Sequence, residues 1–239
     1  MNILITGGGS EEPIDTVRSI CNFSTGRTAS FLAQKFSQKG FKTTLLTSKR
    51  AVKPEETESL KVQNYLTFKD LESNLKNLCQ NQNFDVIIQA AAVSDYSVSS
   101  ITVDNNEYDI NQISKIPSGL NVSINLKNNP KLVDSIKAWS QKANSCPMLV
   151  AFKLTSGASI EERKIAVKKV FDSTQNQDLM PDYVVSNDLS QINQDEHPCT
   201  IYSKDMSVAA QSKDLDGLFN ELLTLIQDYS KKNKTGDCK

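Results

Sequence analysis

The sequence predicts an α/β fold: a doubly wound, Rossmann-like, mainly parallel sheet with helices on both faces and an inserted flap or hairpin. Three observations carry this. Short apolar runs alternate with amphipathic stretches in a β-α-β-α-β order at close spacing. The first apolar run ends in Gly7-Gly8-Gly9. Phe84 to Ala91 is almost continuously apolar, as a central parallel strand covered on both faces must be.

Each element follows from local pattern. Ile3 to Thr6 is a buried strand. Phe31, Leu32 and Phe36 recur at helical spacing between Thr28 and Lys39, and Gly40 is a good stop. Lys42 to Thr47 is the next strand. Thr67 can cap a helix carrying Leu71, Leu75 and Leu78. Ser94 to Lys115 is polar without a clear period and reads as a mobile flap or an edge hairpin. Asn121 to Leu126 alternates, as a half-exposed strand does. Pro130 sits near a helix start that carries Leu132, Val133, Ile136 and Trp139. Met148 to Leu154 is a buried strand, followed by a helix over Ser159 to Ser173. Strands are expected at Tyr183 to Ser186 and Pro198 to Tyr202, and a last helix from Ser212 to Tyr229. There are no repeats and no linker, so residues 1–230 are expected to form one domain, with a flap at about 94–126. Residues 231–239 read as a disordered tail.

Composition removes several function classes. The 239 residues hold 27 Lys+Arg, 28 Asp+Glu and one His, for a net charge of −1. A general nucleic-acid binder needs a surplus of cations, so none is expected. No apolar run approaches the roughly 18 residues that cross a bilayer. The opening MNILITGGGS lacks the basic and apolar regions of a signal peptide and reads as a strand. Five cysteines are scattered with no CxxC pair, so neither a disulfide framework nor a cysteine metal site is indicated. A reduced, cytoplasmic protein is the expectation, and no dedicated metal site is predicted.

The glycine loop fits neither common phosphate cradle. A dinucleotide fingerprint places a third glycine where Glu12 stands, followed by Pro13. The second strand should also end near an acid for the ribose, and here it ends Thr47-Ser48-Lys49. In the P-loop comparison, Ser24-Thr25-Gly26-Arg27-Thr28 has Arg27 at the lysine position and Cys21 at the upstream glycine. Residues 22–28 still lie immediately before a helix. Their backbone N–H groups can hold an anion, or Ser24 or Thr25 can serve simply as the helix cap.

Six segments taken together go further. ITGGGSEEPIDTVRSICNFSTGRTA, AAAVSDY, SKIPS, LKNNPKLV, VAFKL and VVSNDLSQI occur in that order over about residues 1–205. In order and spacing they resemble phosphopantothenoylcysteine synthetase, the phosphopantothenate–cysteine ligase family. FKL and the lack of a fused decarboxylase look like its stand-alone bacterial form. The resemblance implies a step of coenzyme A synthesis. The carboxylate of 4′-phosphopantothenate attacks the α-phosphate of a nucleoside triphosphate, CTP or ATP, and pyrophosphate leaves. The amine of L-cysteine then attacks the acyl-nucleotidylate and releases the nucleoside monophosphate. Mg²⁺ would accompany the triphosphate, held by phosphates and water. The family is dimeric, so a homodimer is expected.

The resemblance also assigns roles. Asn22 matches the asparagine that holds the acyl-nucleotidylate, and a neutral amide suits a carbonyl or phosphoryl oxygen; an N-cap is the alternative. Arg18 matches an arginine for phosphate or carboxylate. Lys115 matches a flap lysine that stabilises triphosphate charge. Asp95 suits a ribose hydroxyl or a cytosine amino group, and Ala90, Ala91 and Ala92 leave room for a base. Gly7, Gly8, Gly9, Ser24, Thr25 and Gly26 belong to the nucleotide-binding set. Pro130, Lys131, Leu132 and Val133 match a cytosine-reading turn, and Phe152 a base-packing aromatic. Lys153, Lys164, Lys168 and Lys169 supply phosphate cations, the 168–169 pair fitting best. Two features depart from the pattern. Glu11-Glu12 stands where the family often has a basic residue, and Lys115 is followed by Ile116-Pro117 where many members carry more lysines. His197, in a polar loop, is expected to be structural or exposed, and no general base is evident. The competing readings are a nicotinamide-dependent reductase of the same general fold and a non-catalytic nucleotide-binding protein.

Overall fold

The computed structural model describes residues 1–109, 114–174 and 176–234. In chain order its elements are β1 (Asn2–Gly7), β2 (Glu11–Pro13), β3 (Ser19–Cys21), α1 (Arg27–Gln38), β4 (Lys42–Ser48), β5 (Leu60–Tyr65) and α2 (Phe68–Asn81). There follow β6 (Val86–Gln89), β7 (Tyr96–Val103), β8 (Asn106–Asp109), β9 (Val122–Asn128), α3 (Val133–Gln141), β10 (Met148–Thr155) and α4 (Ile160–Phe171). The last are β11 (Tyr183–Asp188), β12 (Cys199–Ser203), β13 (Val208–Ser212) and α5 (Leu215–Lys234).

The main sheet has the order β13-β12-β11-β10-β6-β1-β4-β5. From β11 to β5 every pairing is parallel. β12 and β13 close the other edge as antiparallel strands. Taken in chain order, the parallel strands form the doubly wound 3-2-1-4-5-6 arrangement, so the order reverses between β1 and β6. The expected fold is therefore the observed one.

Alternation along the central strands fixes both faces. Ile3 and Ile5 point to the layer of α1 and α5, with Leu32, Phe36, Phe219 and Leu222. Phe36 and Phe219 meet edge to face at 5.0 Å. Leu4, Ile87 and Leu149 point the other way, onto Leu71, Leu75 and Leu78 of α2 and Ile136 of α3. Val167 and Phe171 of α4 cover Ala151 and Val184 on β10 and β11. Thr67 does cap α2: its hydroxyl accepts from Asp70 N, and the Asp70 carboxylate accepts from Thr67 N.

The flap is more regular than its sequence reads. β8, β7 and β9 form a separate antiparallel sheet over a small core of Val98, Ile101, Val103 and Ile116. A register shift between Val98 and Ser100 spaces the buried residues by three and then two, which hides the strand period. β5, reading LKVQNY, is an edge strand with two fully buried ends and goes unpredicted for lack of apolar residues. Helix α5 runs to Lys234, into the stretch expected to be tail, because lysines continue a helix readily after its last packed turn. Residues 235–239 of that expected tail lie outside the described residues.

Replacing Thr67 by Ala removes half of a reciprocal cap. It is expected to lower stability by about 1 kcal/mol, read as a lower urea midpoint at unchanged slope.

Candidate functional site

In a sheet of this order ligands bind outside the carboxyl ends of the strands at the reversal point. The segments after β1 and β6 meet there: Gly9 bridges to Ala92, and Ala92 N donates to Gly8 O at 2.8 Å. A cleft of about 1960 Å³ opens over this junction.

The glycines make room for a close approach of backbone to backbone. A Cβ on Gly9 would lie 2.0 Å from the Asn22 carbonyl oxygen. One on Gly7 would lie 2.3 Å from Ala29 Cβ, where α1 crosses the end of β1. Gly8, at φ +77°, lines the cleft, whereas Gly7 and Gly9 do not. The Tyr65 hydroxyl, buried beneath the turn, reaches the Gly7 and Gly8 carbonyls at 2.9 and 3.1 Å. Asn22 N donates to Ser10 O, and Asn22 Nδ2 donates to Val93 O at 3.0 Å. The side chain is thereby aimed into the cleft, with its second N–H and its Oδ1 uncommitted by that bond. It is not a helix cap.

Nor is Ser24 or Thr25. The N-cap of α1 is Gly26, in the left-handed region at φ 71°, with no side-chain cap bond. A left-handed turn is what lets the chain pass Ala51, whose Cβ would stand 2.6 Å from a Cβ at Gly26. Ser24, Thr25 and Gly26 all line the cleft with the first turn of α1, which carries no acid. That end of the helix favours an anion.

Across the cleft lie Ala91, Ala92 and Asp95, then Pro130, Lys131, Leu132 and Val133, then Phe152 and Lys153, and Lys169 on α4. Asp95 O accepts from Asn129 N at 2.8 Å, fixing the loop after β6 against the turn before α3. Lys131 Nζ pairs with Asp95 Oδ1 at 2.5 Å, so acceptor and donor stand together at one rim.

Besides Gly7 and Gly9, four expected residues lie outside the cleft lining: Arg18, Lys115, Lys164 and Lys168. Arg18 does not line the cleft. Its guanidinium binds Asp15 at 3.1 Å and donates to Ile116 O at 2.5 Å. The buried Asp15 carboxylate also accepts from Val17, Arg18 and Ile116 N–H. These donors hold it below the usual carboxylate range, the Ile116 bond foremost. Arg18 thus joins the β2–β3 turn to the small sheet. Lys115 is exposed and outside the cleft lining, and its neighbours Ser114 and Ile116 are bonded to that turn. Lys168 pairs with Asp172 along the outer face of α4, one residue from Lys169 and about 100° around the helix. Lys164 likewise pairs with Glu161.

The cleft also contains residues the sequence reading left out. Arg27, Arg50 and Asn187 line it, and so does His197, which is half-buried rather than exposed. Asn187 Nδ2 donates to His197 Nε2 at 3.2 Å, and the buried Asn187 Oδ1 has no partner. Burial, aided by Arg27, lowers the histidine pKa, which keeps this acceptor ring neutral. Arg27 stands in the 22–28 segment before α1, at the lysine position of the P-loop comparison; no pattern marks Arg50, and Asn187 and His197 are brought together by the β11–β12 turn.

Two predictions follow from this geometry. Gly9→Ala is expected to displace Asn22 and reduce ligand binding or turnover by about tenfold or more. Gly40→Ala, outside the cleft at φ +84° with open space around its Cβ position, is the control for backbone strain without steric overlap. Lys169→Ala should weaken binding of a nucleoside triphosphate about tenfold, and Lys168→Ala should leave it within twofold of wild type. Calorimetric titration measures both.

Comparison with known proteins gives a consistent picture. The DNA/pantothenate metabolism flavoprotein C-terminal domain matches residues 1–229. The coenzyme A biosynthesis bifunctional protein CoaBC of Thermococcus kodakarensis is 27% identical over 86% of this chain and 45% of its own length. That of Escherichia coli K12 is 26% identical over 98% of this chain and 53% of its own. The chain therefore spans about half the length of these curated relatives. The crystal structure of the DNA/pantothenate metabolism flavoprotein from Streptococcus pneumoniae has a TM-score of 0.82 at 29% identity, covering 96% of this chain and 99% of that one. A mutant of Cab2 in complex with phosphopantothenate-cysteine has a TM-score of 0.74 at 16% identity, covering 98% and 88%, and shares the fold.

Proposed function

This chain belongs to the DNA/pantothenate metabolism flavoprotein C-terminal domain family, and from that premise we propose that it is a phosphopantothenate–cysteine ligase of coenzyme A biosynthesis. The names of its curated relatives support the pathway. The observation that carries the reading is the convergence of Asn22, Asp95, the 130–133 turn, Phe152 and Lys169 on one cleft at the sheet's reversal point.

In this reading CTP lies along the cleft, with ATP the alternative co-substrate. The 130–133 turn offers backbone groups to the base, Phe152 packs against it, and Asp95 takes a ribose hydroxyl or an amino group. Ser24, Thr25, the first turn of α1, Lys153 and Lys169 surround the phosphates. The 4′-phosphopantothenate carboxylate attacks the α-phosphorus, the bond to pyrophosphate breaks, and an acyl-nucleotidylate forms. Asn22, held by Val93 and Ser10, donates to the oxygen on which charge develops. The amine of L-cysteine then forms the amide and the nucleoside monophosphate leaves. Positioning and charge stabilisation dominate such chemistry, so the lack of an evident general base is no obstacle. The described residues gather no group of three or more His, Cys, Asp or Glu side chains fit to hold a metal. Mg²⁺ would accompany the triphosphate, held by phosphates and water, and no step is assigned to it. Arg18 and Lys115 are left without a direct role in this cleft.

A homodimer is part of the proposal. Val17 and Ile20 on the β2–β3 hairpin and Val122 and Leu126 on the small sheet are exposed, which supports an apolar contact surface. Among the described residues no helix is long and apolar enough to cross a membrane.

Asn22→Asp places a negative charge where a donor is required. Turnover of 4′-phosphopantothenate, CTP and L-cysteine to 4′-phosphopantothenoylcysteine is expected to fall by at least about 10²-fold. Near-wild-type turnover in that variant removes the role assigned to Asn22. Absence of product in the wild type with either CTP or ATP overturns the ligase reading.

A further inference from the structure

We propose that Arg50 is a phosphate-binding residue of the cleft and that the buried carboxylate of Glu11 positions it. The proposal deepens the ligase reading and rests on it for the identity of the ligands.

Arg50 lies just past β4, and it lines the cleft with its side chain 80% exposed. Its Nε is 3.2 Å from Glu11 Oε1, and the Glu11 side chain is only 9% exposed. This asymmetry is informative. An ion pair with one partner in water returns little stability, while taking a carboxylate out of water costs a great deal. The second oxygen of Glu11 has only a long contact of 3.5 Å from Ser19 Oγ. Stability alone does not account for a buried acid so thinly satisfied. Holding a guanidinium by one edge does. Docking through Nε leaves the two terminal nitrogens, the pair whose geometry matches two oxygens of a phosphate.

The backbone around Arg50 is fixed as well. Lys49 N donates to Tyr65 O, Ala51 N to Ser48 O, and Val52 N to Thr25 O. Ala51 packs against Gly8 and Gly26. Glu11 N is itself tied to Leu66 O. Both ends of the Glu11–Arg50 pair therefore belong to the rigid junction that also holds Asn22. Glu11-Glu12 stands where the resemblance leads one to expect a basic residue. Here the cation comes from the turn after β4 and the acid at 11 orients it. The ligand class is a phosphate, either the 4′-phosphate of phosphopantothenate or the polyphosphate of the nucleotide.

The test is a set of variants, Arg50→Ala, Arg50→Lys, Glu11→Gln and the double variant, titrated calorimetrically against 4′-phosphopantothenate and, separately, against CTP with Mg²⁺. Arg50→Ala should weaken one of these ligands about 10- to 100-fold and lower the thermal midpoint, because the buried Glu11 carboxylate loses its partner; the double variant, which removes that charge, should recover the midpoint while binding stays weak. Loss for 4′-phosphopantothenate assigns the monoester phosphate, and loss for CTP assigns the polyphosphate. Arg50→Lys should recover only part, because a point charge cannot replace the fork. Glu11→Gln should lower affinity for the same ligand, and the double variant should equal Arg50→Ala alone. Lys53→Ala, whose ammonium turns back to the Lys49 carbonyl, is the control. Unchanged binding of both ligands by Arg50→Ala overturns the proposal, and additive losses overturn the role of Glu11. A wild type that binds neither ligand overturns both this proposal and the ligase reading. Wild-type binding without turnover leaves the binding role of Arg50 measurable while the ligase reading falls.

Discussion

The site depends on one steric constraint, the contact of backbone with backbone at Gly9. A Cβ there would stand 2.0 Å from the Asn22 carbonyl oxygen, closer than any side-chain carbon can approach. Because nothing intervenes, the β2–β3 hairpin folds directly onto the end of β1, and Asn22 reaches the Val93 carbonyl beyond β6. The reversal of strand order supplies the crevice, and the glycine turn supplies the access. Tyr65 beneath the turn and Ala29 and Ala51 beside it hold the junction from three further directions.

Around that junction the polar residues divide into structural and ligand-facing groups. Buried acids perform the structural work. Asp15 ties the hairpin turn to Ile116, and Glu12 accepts from Phe68 N at the start of α2 and from Ser97 Oγ of the small sheet. Asp188, fully buried, accepts from Thr155, Gly157, Ala158 and Ser190 and shapes the loop before α4. Those donors hold the Asp188 carboxylate far below its ordinary range. Its share of stability is present above the ordinary carboxylate pKa and is lost as pH falls through the folded value. Glu12 has the opposite sign: desolvation raises its pKa, so folding favours its protonated form and this share fades as pH rises through the folded value.

Much of the fold was legible because the central strands are apolar throughout and the helices carry stripes of Leu and Phe at helical spacing. Thr67 was readable as a helix start by its capping chemistry. The small sheet was harder, since its register shift breaks the period of two. The edge strand β5 was illegible because its middle faces water. In the site, Asn22 and Asp95 stand next to strand ends and line the same cleft as Phe152, which lies within β10. Partners distant in sequence are beyond the reach of a local motif. Arg18 carries the chemistry of an anion binder, but its partner is a backbone carbonyl 98 residues away. Lys168 and Lys169 are adjacent in sequence and separated only by the turn of the helix. Arg50 has no motif at all and depends on an acid 39 positions earlier, at Glu11.

The account stands on a two-step reaction at Asn22, and one measurement reaches it most directly. The protein is mixed rapidly with CTP, Mg²⁺ and 4′-phosphopantothenate without cysteine, and pyrophosphate is followed with time. The account predicts a burst of about one equivalent per site, which stops and turns into continuous release when L-cysteine is added. Release that waits for cysteine from the first turnover, with no burst at any enzyme concentration, contradicts it.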